Sequence, residues 1–146
     1  MIYSYRKHID VLRTVEIALP TGDNHQRIGV ELATVNGITY VYLPDGTALP
    51  PQPPEITVEA VVLTPELATE IKDASPHVWL ISEQIKEKIR EKFSSEDEMY
   101  YARISIGVVM GAYTFLPGEQ DAVLAYGAYV ESVRQWGRDQ RAALGL

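Results

Sequence analysis

Residues 34–43 read TVNGITYVYL. The Asn36-Gly37 pair is a strong hairpin signal, because a two-residue type I′ turn needs positive φ at both central positions. The turn sets an expected register, with Val35 opposite Ile38, Ala33 opposite Tyr40, Leu32 opposite Val41, Glu31 opposite Tyr42 and Val30 opposite Leu43. Side chains alternate across a strand, so Ile28, Val30, Leu32, Val41 and Leu43 are expected on one apolar face. The opposite face carries Glu31, Ala33, Val35, Ile38, Tyr40 and Tyr42, a mixture that implies partial exposure or a second packing partner.

Working outward, VLRTVEIALP (residues 11–20) also alternates, with Val15, Ile17 and Leu19 on one side, and predicts a further strand ending at Pro20. ITVEAVVL (56–63) is β-branched enough for another. Between the hairpin and that strand lies LPDGTALPPQPPEI (43–56), with four closely spaced prolines. Its two P-x-x-P spacings lack a flanking basic residue that would orient a polyproline ligand, so an ordered, rigid connector is expected.

The pattern changes at Thr64. TPEL and SPHV each place a hydroxyl N-cap before a proline at the first helical position, where the missing N–H costs nothing. Val78, Ile81, Ile85, Ile89 and Phe93 recur at helical spacing. SEDE (95–98) reads as a capping box between Ser95 and Glu98, opening a helix expected to reach Pro117-Gly118, with a strand as the competing reading of its β-branched middle. A last helix opens with Glu119 and Asp121 and runs to about Ala143. The expected fold is therefore α+β: an N-terminal antiparallel sheet of three to four strands, then three to four helices. The expected division is a β module over residues 1–63, with its proline-rich connector at 44–55, and a helical module over 64–146.

Composition narrows the function. The chain of 146 residues has 46% hydrophobic and 23% charged residues, as in ordinary globular domains. It contains no cysteine, so thiolate chemistry and disulfides are excluded and a reducing compartment is the default expectation. The net charge of −7, of which residues 50–146 carry −6, argues against a nucleic-acid surface. MIYSYRKHID lacks a signal-peptide apolar core, and the longest uncharged run, Ile104–Gly118, is shorter than a membrane span. A soluble, non-secreted protein is expected.

No phosphate-loop, nucleophile-elbow, zinc-protease or EF-hand spacing occurs, so no catalytic residue, cofactor or metal is expected. Asp23 and His25 lie in a turn-forming DNH, and Glu96, Asp97 and Glu98 sit where a helix dipole favours acids. Arg134, Arg138 and Arg141 read as a solvated face. Two apolar stripes on the last helix, one containing Tyr126, Tyr129 and Trp136, call for two neighbours, the second either on another subunit or in the core of the same chain. Tyrosine and tryptophan favour interface cores, which makes Tyr40, Tyr42, Tyr126, Tyr129 and Trp136 the candidate partner-binding residues.

LTPELATEIKDASPHVWLI, KIREKFSSEDEMYYAR and AYVESVRQWGRDQRAALGL, which together cover much of residues 62–146, resemble small bacteriophage proteins associated with tail and tail-fibre genes. The resemblance implies a non-enzymatic role in tail or tail-fibre assembly, through contact with a tail component or another copy, in the host cytoplasm during assembly or in the virion. It supplies no active-site residues. The alternative expectation is a small-molecule-binding or regulatory module with a pocket between sheet and helices.

Overall fold

A computed structural model describes all residues 1–146. The chain is α+β: four antiparallel strands, β1 (Ile2–Tyr5), β2 (Val30–Val35), β3 (Ile38–Tyr42) and β4 (Glu59–Val61), precede four helices, α1 (Pro65–Ala74), α2 (Pro76–Lys92), α3 (Ser95–Val109) and α4 (Glu119–Ala142). The strand order is β2-β3-β1-β4. The chain forms two compact units, Met1–Leu80 with Arg141–Leu146, and Ile81–Gln140.

In the first unit the hairpin turn is as expected, with positive φ at Asn36 and Gly37, and Val35 pairs with Ile38 and Ala33 with Tyr40. Beyond that the expected register fails. A bulge between Glu31 and Ala33 shifts the pairing, so that Glu31 faces Val41 and Val30 faces Tyr42. The extra residue breaks the strict alternation and turns two consecutive side chains, Leu32 and Ala33, into one cluster with Ile2 and Ile71. Val41 and Leu43 belong to the other cluster, with Tyr5, Ile17 and Ile56. Leu32 and Val41, expected as neighbours on one face, are both fully buried but in different clusters.

The sheet therefore has two covered faces. Leu67 and Ile71 of α1, with Leu144 and Leu146 from the chain end, pack with Tyr40 and Tyr42 in one cluster. Irregular segments supply the cover in the other: Ile9, Val15, Ile17 and Leu19 from one side of the chain, Leu49, Ile56 and Val58 from the proline segment and its exit. The expected strand over residues 11–20 is absent; its place in the sheet is taken by β1, paired with both β3 and β4. Val15, Ile17 and Leu19 still bury as their alternation suggested, while the backbone makes only isolated bridges, His8 with Thr14 and Thr21 with Arg27. β4 is also shorter than the apolar run 56–63.

The proline segment is strapped down by one side chain. Gln52 accepts from the Ala18 N–H at 2.9 Å and donates to the Ala18 carbonyl at 3.0 Å, reproducing a strand-like pair without a partner strand. This satisfies both backbone groups of a residue that lies between buried Ile17 and half-buried Leu19.

The helix starts follow the local chemistry. Thr64 caps α1 by accepting from Leu67 N–H, with Pro65 in the first turn. The capping box of α3 lies one residue earlier than expected: Ser94 accepts from Asp97 N–H at 3.1 Å and Asp97 accepts from Ser94 N–H at 2.8 Å. That amide holds the Asp97 carboxyl below its ordinary range. The shift leaves Glu98 free to accept from the Tyr126 hydroxyl at 2.8 Å. α3 also ends early, at Val109. Gly111 takes φ +70°, its N–H bonds to Val108 and Ala112 N–H to Gly107, the paired bonds of a glycine C-cap.

Candidate protein-interaction face

The five aromatic residues expected to meet a partner are all half-buried, and each is engaged inside its own unit. Tyr40 and Tyr42 pack in the sheet cluster, and Gly145 lies so close to the Tyr42 ring that a Cβ there would meet Cδ2 at 2.7 Å. In the second unit Phe93 sits edge-on to Tyr126, centroids 5.1 Å apart, and near Tyr101 and Tyr129. The Tyr129 hydroxyl donates to the Lys88 carbonyl at 2.8 Å. Lys88 Nζ lies 4.8 Å from the Trp136 ring centre and Lys92 Nζ 4.3 Å from that of Tyr129. Burial first, then Glu98, pushes the Tyr126 phenol above its ordinary value. In the second unit Tyr126, Tyr129 and Trp136 thus pack against side chains of α2 and α3 while remaining half-exposed.

Exposed large apolar side chains occur at several places, among them Val11, Leu12, Val62, Trp79, Leu116 and Leu124, and on α3 they line up along one side of the helix. Its Ile104 is buried, with Tyr101 and Val108 half-buried, yet Met99, Ile106, Val109 and Met110 are 74%, 59%, 87% and 76% exposed. At 100° per residue these four positions, with Ala102 and Arg103, form one stripe opposite Tyr101, Ile104 and Val108. A helix apolar on opposite sides belongs in an interior. Here only one side is covered. Glu96, Met99, Tyr100 and Arg103 border a depression of about 250 Å³ on the exposed side.

Hydrogen bonds hold the exit of α3. Glu119 accepts from the Tyr100 hydroxyl, from the Tyr113 hydroxyl at 2.8 Å and from Leu116 N–H at 2.8 Å. The bond from Tyr100 holds the Glu119 carboxyl below its usual range, and the same bond pushes the Tyr100 phenol up to about 12. Tyr113 in turn crosses Gly107, where a Cβ would stand 2.8 Å from Tyr113 Cβ. The turn after α3 is thereby fixed to the helix flank, and the Met99–Met110 stripe is left open.

The sheet unit carries a cleft of about 460 Å³ with Ser4, Arg6, His8, Glu55 and Glu59 among its walls. Tyr5 also borders it; burial raises its phenol, and no partner closes a well-formed hydrogen bond to that hydroxyl. No three His, Asp or Glu side chains converge in metal-binding geometry, and no helix is long and apolar enough to cross a membrane.

The sequence reading missed the α3 stripe. The signal was present: Met99, Ala102, Ile106 and Val109 are apolar on one side and Tyr101, Ile104 and Val108 on the other. Comparison with protein-family models, curated proteins and solved structures finds no match.

Proposed function

We propose that the chain is a non-enzymatic assembly protein of the phage tail or tail-fibre type, working by protein contact through the exposed side of α3. One observation carries the reading: a helix with apolar side chains on opposite sides has only one of them covered. Contiguous apolar patches of several hundred Å² on a soluble protein mark contact surfaces. The tail setting comes from the resemblance of the stretches within residues 62–146, which is a matter of residue pattern.

The test is capture of purified tail and tail-fibre proteins by the immobilised full chain and by its Ile106→Glu variant. Ile106 is largely solvent-facing, so the charge perturbs the surface and spares the core. Wild type is expected to retain a tail protein, or a second, differently tagged copy of the chain added alongside, that the variant loses. Equal retention by both, or none by either, would contradict the role.

The cleft beside Arg6, His8, Glu55 and Glu59 supports a second reading, small-molecule binding. Its walls lie in the sheet unit, and their mixed charge suits a small zwitterionic ligand.

A further inference from the structure

We infer that the occupant of the α3 face is a second copy of this chain, packed antiparallel about a two-fold axis that crosses α3 midway between Arg103 and Ile106. The inference rests on the interface reading above and specifies the partner. Met99, Arg103, Ile106 and Met110 follow one another at spacings of four, three and four. That series is the same in both chain directions, so the stripe superimposes on its own antiparallel copy, as an isologous two-fold interface requires.

The surface relief fits the same axis. Glu96, Met99, Tyr100 and Arg103 stand at i, i+3, i+4 and i+7 around the depression, the four-residue hole of knobs-into-holes packing. The axis places Met110 of the second copy over this hole, and Met110 of the first over the reciprocal one. An unbranched thioether is well suited to fill such a recess.

Area and charge point the same way. Four side chains exposing on the order of 100 Å² each, together with Tyr100, Ala102 and Arg103 at their flanks, approach the roughly 800 Å² per partner of a standard interface. Parallel pairing would bring together the Glu96, Asp97 and Glu98 turns of two chains that each carry −7. Antiparallel pairing separates them by about 20 Å, the length of α3.

The absence of cysteine gives a positional test. Met99→Cys and Met110→Cys each introduce a single thiol into the full chain. Mild oxidation of an equimolar mixture is expected to yield a covalent dimer of one of each. Either variant alone should stay uncrosslinked, because like positions lie about 16 Å apart along the helices, beyond disulfide reach. Sedimentation velocity should give a dimer for wild type and a monomer for Ile106→Glu with unchanged circular dichroism; Val109→Lys repeats the comparison should Ile106→Glu perturb the helix. Crosslinking of Met99→Cys to itself would show parallel pairing and overturn the inference. A wild type that is monomeric at every concentration overturns it as well. In that case, a tail protein bound by wild type and lost on Ile106→Glu leaves the interface reading standing, whereas binding indifferent to Ile106→Glu removes both.

Discussion

Leu32→Ala is expected to lower the free energy of unfolding by about 2–5 kcal/mol, the range for truncating a fully buried leucine. Leu32 has no exposed surface and is packed with Ile2, Ala33 and Ile71. Its place in the bulge makes collapse around the cavity difficult. The backbone on either side is pinned by the Glu31–Val41 and Ala33–Tyr40 pairs, and Ile71 approaches from a separate element, α1. Urea unfolding of wild type and variant measures the difference. The midpoint should fall with little change in slope, and a loss below about 1 kcal/mol would mean that Leu32 is not the centre of that cluster.

Gly137→Val is expected to destabilise by about 1–2 kcal/mol net, against the direction that helix propensity suggests. Replacing glycine within a helix ordinarily gains stability, about 1 kcal/mol for alanine and less for a β-branched residue. At Gly137 the gain is outweighed, because a Cβ would collide with Ile85 Cδ1 and stand 3.2 Å from Cγ1 and 3.7 Å from Ile81 Cγ2. Overpacking of this kind costs roughly 1–3 kcal/mol, and valine adds two methyl groups beyond the Cβ that already meets Ile85. The glycine thus lets α4 approach the Ile81 and Ile85 turns of α2. A urea midpoint at or above that of wild type would show that this approach is not tight.

Where local chemistry had one solution, the sequence was readable. Asn36-Gly37 permitted one turn, Thr64-Pro65 one helix start, and the apolar alternation at Val15, Ile17 and Leu19 one buried side. The failures have physical causes. A period-two pattern does not reveal an extra residue, so Leu32 was paired with Val41 although the bulge puts them in different clusters. The four residues of β1 are too few to display a period, yet their pairing on both sides makes β1 one of the two central strands of the sheet. In SSEDE two serines and three acids offer overlapping capping boxes one residue apart, and the structure uses Ser94 and Asp97.

The face proposed on α3 is not the set of aromatic residues that the sequence suggested. Two-sided apolar character was seen in α4, whose Tyr126 and Tyr129 are used within the helical unit. The same character in α3 was hidden by its β-branched middle, which also reads as a buried strand. Only the fold shows which apolar side is left without cover.

The central claim is that the Met99–Met110 side of α3 is covered by protein in the working state. Methionine oxidation measures that cover directly, because peroxide converts exposed thioethers to sulfoxides. The chain has three methionines, and Met1, 56% exposed and remote from α3 in sequence, serves as the internal reference. Peptide mass spectrometry of the full chain, alone across a concentration series and mixed with purified tail proteins, should show Met99 and Met110 oxidising several-fold more slowly than Met1 once assembled. In Ile106→Glu all three should react at similar rates. Rates at Met99 and Met110 that match Met1 in wild type under every one of these conditions would contradict the account.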